Sequence, residues 1–372
     1  MENRKQRQSN FELLRILAIF LIVLNHSAPF YGDADTPGRI NCLYGEANWH
    51  YALLMIYDYF GQAGDCIFLG LTAYFLHRGS RRSLQKIAGI AADSFVISVA
   101  YLCIYLLLGR DINILEIIRN LFPITCGKEW FVGCYLLLYL CFPCLNTLID
   151  NIDKKRHISI CLTLFVLYSV ISNSTLDYKY QYSRLIGAVE VYLIVSCAGR
   201  YFRALFSSLS RCIILAAVAF LGMLSSLALA NLIATHSPYL KALPMNWCTF
   251  INPSIILFSL SLIFTFDKIK LRYSGLINYV SSLSLLYYLI YENYIFRNDF
   301  KPLLWERLYN IFTYDHVIGL VLGVGIVASI CVGCLAAIYK TVLQPFAHKG
   351  GLTVFIAVNH CRRALIDVLA GF

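Results

Sequence analysis

Two ionisable side chains, Arg15 and His26, lie inside the apolar run SNFELLRILAIFLIVLNHSAPF, residues 9–30. A guanidinium binds phosphate or carboxylate oxygens through paired donors, and an imidazole can exchange a proton near neutral pH. On an α-helix, eleven steps of 100° return to within about 20° of the same face after a rise of roughly 16 Å. The spacing therefore predicts that Arg15 and His26 face the same neighbours. The strip between and around them contains Glu12, Ile19 and Ile22.

Each of these two residues has a structural and a functional interpretation. Arg15 can be a membrane-surface anchor paired with Glu12, three residues earlier, and His26 can be a hydrogen-bonded interfacial histidine. Ionisable residues within membrane helices usually face a bundle interior or an aqueous cavity, however, and they mark a site or a pathway. The shared face favours the functional interpretation for both.

The composition indicates a membrane protein. Of the 372 residues, 59% are hydrophobic and 14% are charged, whereas soluble domains carry about 25% charged residues. The apolar residues form long blocks, which favours helices over a barrel. We predict an all-α polytopic protein with about ten transmembrane helices. The windows are 12–30, 54–76, 87–108, 130–149, 158–173, 185–201, 212–233, 248–266, 276–296 and 317–341.

The basic residues predict the orientation of these helices. With the N-terminus in the cytoplasm, 20 of the 31 Lys and Arg residues fall on inner segments and 10 on outer segments. This bias predicts that both termini are cytoplasmic. We expect residues 1–345 to form the transmembrane bundle and residues 346–372 to form a cytoplasmic tail, either an interfacial amphipathic helix or a frayed apolar end.

Several common chemistries lack their sequence signatures. The chain contains no phosphate-binding G-x-x-x-x-G-K-[ST], no H-E-x-x-H and no G-x-S-x-G. No Cys pair has zinc-ligand spacing with His, so we expect no metal site. The net charge of +10 falls in short clusters between apolar blocks, which does not match a nucleic-acid surface, and we expect no nucleic-acid partner.

Four segments resemble, in order, the motifs of the membrane acyltransferase-3 family, integral-membrane O-acyltransferases that modify bacterial surface polysaccharides. NFELLRILAIFLIVLNH matches the first helix, in which Arg and His are separated by ten residues. GDCIFLGLTAYFLHRGSRRSLQKI resembles the second helix and its Arg-x-x-Arg loop, here Arg78 and Arg81. KEWFVGCYLLLYLCFPCLN and SSLSLLYYLIYENYIFRNDFKPLLW are similar to the third and fourth motifs.

The chain departs from the family pattern at three places. Tyr291 stands where the family has a late His, Thr72-Ala73 replaces the usual Ser-Gly, and Asn25 takes the first position of a frequent His-His pair. Tyr can donate and accept hydrogen bonds, but it is a poor base near neutral pH. We therefore expect Tyr291 to position substrate if the late His of the family does so.

The resemblance implies a multi-pass protein of the bacterial plasma membrane that transfers an acyl group, with acetyl expected, to a hydroxyl. The implied donor is cytoplasmic acetyl-CoA or another acyl-CoA, used as a substrate with no permanently bound cofactor. The implied acceptor is a surface or exported polysaccharide or a lipid-linked sugar, and membrane lipids are the remaining partners. The alternative is a carrier or exporter of a glycan precursor or small metabolite, although no paired broken helices indicate transport.

The predicted site residues form two groups, one that binds the acyl-CoA donor and one that carries out the acyl transfer. Arg15, Arg78 and Arg81 are expected to bind the CoA phosphates. His26 is expected to act as general base or to accept the acyl group itself, and a buried carboxylate is expected to orient it. The candidate catalytic residues are His26, Arg15, Glu190, Glu292 and Tyr291.

Overall fold

The computed structural model describes residues 7–28, 49–77, 79, 83–171, 184–236, 243–311, 316–354 and 356–357. The described residues form helices joined by turns and contain no strand. The first half of the chain forms α1 (Ser9–Ser27), α2 (Trp49–Leu76), α3 (Leu84–Leu107), α4 (Ile114–Leu121), α5 (Trp130–Asp150), α6 (Lys154–Leu164), a π-helix (Phe165–Ile171) and α7 (Arg184–Tyr201).

The second half of the chain has the same all-helical character. It forms α8 (Leu209–His236), α9 (Leu243–Trp247), α10 (Pro253–Lys268), α11 (Gly275–Ser281), α12 (Ser284–Tyr291), a π-helix (Phe296–Phe300), α13 (Lys301–Ile311), α14 (Val317–Val342) and α15 (344–354). The described part of each of the ten apolar windows overlaps one of these helices or, for 158–173 and 276–296, two consecutive segments. The all-helical prediction is confirmed for the described residues.

The helices are those of a membrane protein. Among the described residues, five helices are long and apolar enough to cross a membrane. The other windows do not meet these criteria of length and apolar character, and one of them is interrupted where Ser282 and Leu283 separate α11 from α12. The total of ten crossings and the cytoplasmic termini stay predictions. The five helices cover Ser9–Ser27, Leu84–Leu107, Trp130–Asp150, Leu209–Ala234 and Ile318–Val342.

Helix α1 packs against several other helices, and α2 covers one side of it. The two helices run antiparallel and approach closely at Gly61 and Gly64, because a Cβ atom at Gly61 would overlap the Asn25 side chain and one at Gly64 would lie 2.5 Å from the Ala18 carbonyl oxygen. Small residues allow such close approach of membrane helices. This packing fixes α1 and therefore both of its ionisable residues.

Helices α11 and α12 cover the other side of α1 and run parallel to it. Near the start of α1, the Asn278 side chain donates to Ser9 Oγ at 2.8 Å. At its end, Ser27 Oγ and Tyr291 Oη lie 2.8 Å apart. We call the two ends of the bundle the Ser9 end and the Ser27 end.

The C-terminal segment returns to the bundle at the Ser9 end. Asp93 on α3 accepts hydrogen bonds from Tyr339 Oη at 3.1 Å and from Gln344 Nε2 at 2.9 Å, and its Oδ2 lies 3.0 Å from His348 Nε2. These contacts hold α15 against α3. The domain boundary expected at residue 345 falls inside α15, and residues 358–372 of the expected tail lie outside the described residues.

Candidate active site

One uninterrupted helix, α1, carries both residues from which the site was predicted. Arg15 Nη1 donates to Glu12 Oε1 at 2.5 Å, and Ser281 Oγ donates to the other carboxylate oxygen at 2.5 Å. The Glu12 side chain is buried and the Arg15 side chain is 29% exposed. Arg15 therefore keeps part of its guanidinium available while Glu12 holds it in place.

A cavity of about 650 Å³ opens beside Arg15 at the Ser9 end of the bundle. Its polar walls come from α1, the start of α3 and the break between α11 and α12. Its apolar walls come from α2, α3 and α5. The lining includes Arg7, Glu12, Arg15, Ile19, Phe68, Thr72, Phe75, Lys86, Ile90, Phe131, Tyr135, Ser281, Ser282, Ser284, Leu285 and Tyr288.

Three cationic side chains line this cavity. Besides Arg7 and Arg15, Lys86 contributes an ammonium that donates to Tyr135 Oη at 2.6 Å and lies 4.8 Å from the centre of the Tyr139 ring. Cationic groups held in this way suit a polyanionic ligand such as a phosphate chain.

The predicted donor residues Arg78 and Arg81 lie outside the described residues. The described backbone beside Arg78 is held at the Ser9 end, where Asn146 Nδ2 donates to the carbonyl oxygens of Leu76 at 2.8 Å and Gly79 at 2.7 Å. Tyr192 Oη in turn donates to Asn146 Oδ1 at 2.7 Å. The assignment of Arg78 and Arg81 to a phosphate site remains a prediction.

A second polar cluster surrounds His26 at the Ser27 end. His26 Nδ1 lies 3.4 Å from Glu292 Oε2. The same carboxylate has Arg297 Nη1 at 3.8 Å and Lys301 Nζ at 3.8 Å. The side chains of Glu292 and Lys301 are only 3% and 4% exposed. We call these four residues the His26 cluster.

The sequence patterns do not single out Arg297 and Lys301, which follow the apolar window 276–296. The chain instead continues past Glu292 through a π-helix and into α13, which returns Lys301 to the protein interior. A partial signal is present, since helical geometry brings side chains four residues apart to neighbouring positions on one face. Arg297 and Lys301 have this spacing.

Of the two carboxylates predicted to orient His26, the structure places only one beside it. Glu292 lies beside it, whereas Glu190 on α7 is completely buried and accepts a 2.5 Å hydrogen bond from Ser169 on the π-helix Phe165–Ile171. Glu292 therefore has the geometry of an orienting carboxylate toward His26, and Glu190 does not.

Tyr291 lies next to the His26 cluster. Its hydroxyl bonds Ser27, the residue after His26, and its ring centre lies 4.5 Å from Lys301 Nζ. This position lets Tyr291 fix the end of α1 against α12 and support the buried ammonium by a cation–π contact. The geometry suits a positioning role.

The cavity and the His26 cluster are separated by a short protein layer. Ile19 is the α1 residue farthest along the helix that lines the cavity, and His26 follows seven residues later, about 10 Å farther along the axis. On α12, Tyr288 closes the cavity one helical turn before Glu292, and its ring centre lies 5.2 Å from that of Phe131. A group that passes from the cavity to His26 must pass these two aromatic rings.

Comparison with protein-family models identifies the family to which the chain belongs. A model described as an acyltransferase domain, that of the acyltransferase-3 family, matches residues 8–340 of the 372. The chain belongs to the acyltransferase-3 family. No curated protein and no solved structure matches the chain. Family membership supports acyl transfer as the general activity of this membrane protein.

The departures from the family pattern have clear places in the fold. Asn25 packs against Gly61 where α1 and α2 meet. Thr72 lines the cavity and donates its hydroxyl to the Phe68 carbonyl at 2.9 Å, while Ala73 is completely buried. Together with Tyr291, these substitutions lie around the cavity and the His26 cluster in this acyltransferase-3 protein.

Proposed function

We propose that the protein is an O-acyltransferase of the bacterial plasma membrane. It transfers an acyl group, acetyl in the simplest case, from acyl-CoA at the Ser9 end to a hydroxyl of a surface polysaccharide or its lipid-linked precursor. The Ser9 end is then cytoplasmic. The observation that supports this proposal best is that α1 connects a cationic cavity to a partly buried imidazole beside a buried carboxylate.

The cavity has the chemistry that an acyl-CoA donor requires. Arg7, Arg15 and Lys86 offer cationic donors for phosphate oxygens at the open end, and Arg78 and Arg81 are expected to add two more. Elsewhere the cavity is lined by apolar side chains such as Ile19 and Phe68 and by serine hydroxyls. That lining suits the amide-bearing pantetheine arm, whose thioester is directed toward Phe131, Tyr288 and His26.

The His26 cluster supplies groups for acyl transfer. We assign to Glu292, which lies 3.4 Å from His26 Nδ1, the orientation of the imidazole, and to His26 Nε2 the removal of the proton from the acceptor hydroxyl. The resulting oxygen nucleophile attacks the thioester carbonyl, the carbon–sulfur bond breaks, and the departing thiolate takes the proton from the imidazolium. We assign stabilisation of the negative charge on the tetrahedral oxygen to Lys301 and Arg297, the two cations that lie 3.8 Å from Glu292 in this cluster.

A covalent route uses the same residues. In that route the imidazole attacks the thioester, the CoA thiolate leaves, and the acceptor hydroxyl then takes the acyl group from His26. Mass spectrometry of protein mixed with acyl-CoA in the absence of acceptor distinguishes the routes, because only the covalent route adds the mass of the acyl group to His26.

An apolar groove beside the His26 cluster is evidence for an acceptor with a lipid anchor. The groove has a volume of about 950 Å³ and lies between α14 and the segment from α12 to α13, with Tyr291 and Lys301 among its lining residues. Gly319, Gly323 and Val327 on α14 are among the residues along its apolar wall. A polyprenyl or acyl chain in this groove would hold a sugar headgroup next to the His26 cluster.

The central experiment replaces His26 with Ala. Removal of the general base is expected to lower acyl transfer about 10²–10⁴-fold, with acyl-CoA binding retained because the cavity is intact. Transfer is measured by mass analysis of surface glycans from cells that express each variant, and binding is measured with purified protein. His236→Ala is the matched control, since His236 lies exposed at the end of α8.

Three results bear on the proposal. Normal glycan acylation by the His26→Ala variant would refute the assignment of His26. Wild-type protein that binds no acyl-CoA would refute the donor. Acylation that depends on His26 but reaches only molecules without a lipid anchor would refute the role of the groove.

A further inference from the structure

A second buried cluster, which the proposed acyl transfer does not use, lies between α6 and α7. It consists of one imidazole and two thiols: His157 and Cys161 on α6, and Cys197 on α7. One ligand atom from each residue lies within 4.8 Å of the other two. Their exposed fractions are 0%, 8% and 6%. The four-residue separation of His157 and Cys161 places both on the face of α6 that packs against α7.

The His157 ring is held in the tautomer that a metal requires. Its Nε2 lies 3.2 Å from the Leu193 carbonyl oxygen and 3.5 Å from Ser196 Oγ. A carbonyl oxygen can only accept, so Nε2 carries the hydrogen and Nδ1 keeps its lone pair. Metal-binding histidines commonly donate their second ring nitrogen to a backbone carbonyl in this way.

The lone pair on His157 Nδ1 has no partner within the described structure. This nitrogen is buried and accepts no hydrogen bond. Leaving a buried polar atom unsatisfied is unfavourable, and a ligand next to the two sulfur atoms would satisfy it. A single buried cysteine would not indicate such a ligand, but two thiols beside an unsatisfied imidazole nitrogen do.

From this arrangement we infer that His157 Nδ1, Cys161 Sγ and Cys197 Sγ bind one Zn²⁺ ion. Nitrogen and sulfur donors suit zinc, whereas Ca²⁺ and Mg²⁺ prefer oxygen. On binding, each thiol loses its proton to solvent, so that two thiolates balance the two charges of the ion and the imidazole stays neutral. Three protein ligands leave one position of a tetrahedral shell for water.

The surroundings of the cluster show which end of the bundle it lies near and indicate a structural role for the ion. Arg200, three residues after Cys197, donates to Asp150 at 2.7 Å and to the His77 carbonyl at 3.2 Å, which places the cluster about one turn from the Ser9 end. If that end is cytoplasmic, the compartment keeps thiols reduced. The ion would tie α6 to α7, the helix whose Tyr192 holds Asn146 beside the Gly79 segment.

Sequence spacing alone did not indicate this site. His157 and Cys161 form only half of a familiar ligand pattern, and the third ligand follows 36 residues after Cys161 on another helix. Only the packing of α6 against α7 brings the sulfur atoms together.

The test uses the full chain purified in detergent without chelators. We expect elemental analysis to find about one Zn²⁺ per chain, and we expect Cd²⁺, used as a probe, to produce a thiolate charge-transfer absorbance. The variant with Cys161→Ser and Cys197→Ser should lose both signals. The variant with Cys66→Ser and Cys212→Ser is the matched control, because it removes two buried cysteines outside the cluster and should keep them.

A second measurement needs only the wild-type chain and therefore does not depend on the folding of the variants. Zinc added to metal-stripped protein should protect Cys161 and Cys197 from alkylation, resolved by peptide mass spectrometry, and should raise the apparent Tm. Equal zinc content in the cluster variant and the control variant would overturn the inference. So would a Cys161–Cys197 disulfide in freshly purified protein, or a lack of protection by zinc.

Discussion

Replacing Glu292 with Gln tests the charge balance of the His26 cluster. The carboxylate is 3% exposed and lies 3.8 Å from both Lys301 Nζ and Arg297 Nη1. At an effective dielectric constant of about 20, two unit charges at this separation attract by about 4 kcal/mol. Gln has almost the same shape but no charge, so the variant leaves two cations without their counterion.

The variant should lose both stability and activity. Removal of one partner from a buried ion pair costs about 3–5 kcal/mol, which at about 2 °C per kcal/mol lowers the apparent Tm by about 6–10 °C. Because His26 also loses the carboxylate 3.4 Å from its Nδ1, turnover of acyl-CoA should fall at least about 100-fold. Thermal unfolding in detergent and acyl transfer to the acceptor measure the two effects.

A second substitution separates the two effects. Adding Lys301→Met to Glu292→Gln removes one uncompensated cation, so most of the lost Tm should return, whereas turnover should stay low because His26 still lacks its orienting carboxylate. Glu190→Gln is the comparison for the carboxylate itself, since Gln still accepts from Ser169. An unchanged Tm in Glu292→Gln, or a larger loss of turnover in Glu190→Gln, would refute the assignment of Glu292.

Three further predictions concern the cavity, the helix packing and the tail. Lys86→Met should weaken acyl-CoA binding about 10-fold or more through the loss of a charge-assisted contact, measured by titration, whereas Lys155→Met, which removes an exposed lysine at the same end, should not. Gly61→Ala should lower stability by about 1–3 kcal/mol because the added carbon meets Asn25, whereas Gly222→Ala, whose added carbon meets nothing within 4 Å, should not. Asp93→Asn should increase hydrogen exchange in 344–354, because it weakens the contact with His348.

Each of these predictions can be contradicted by a simple result. Equal acyl-CoA affinity in the Lys86 and Lys155 variants would remove Lys86 from the donor site. Equal melting temperatures for the two glycine variants would show that α1 and α2 are not in close contact. Unchanged exchange in 344–354 would show that α15 is held by other contacts than Asp93.

The helices and the shared face on α1 could be predicted from the sequence because both depend on local periodicity. Long apolar runs gave the ten helical windows, and eleven helical steps put Arg15 and His26 on one side. The choice between Glu190 and Glu292 could not be made, because two buried carboxylates look alike in sequence and only helix pairing decides which one meets His26. The burial of Lys301 could not be predicted for a related reason, since a charged residue after an apolar run normally indicates a loop.

The break between α11 and α12 has a consequence for the permeability of the membrane. Three hydroxyls at this break, from Ser281, Ser282 and Ser284, offer hydrogen bonds to water in the cavity that Tyr288 and Phe131 also line. From Ile19 to His26 the helix rises about 10 Å, a third of the roughly 30 Å of a hydrocarbon core. In a membrane, the rings of Tyr288 and Phe131 therefore belong to the part of the described structure that has to exclude ions and protons.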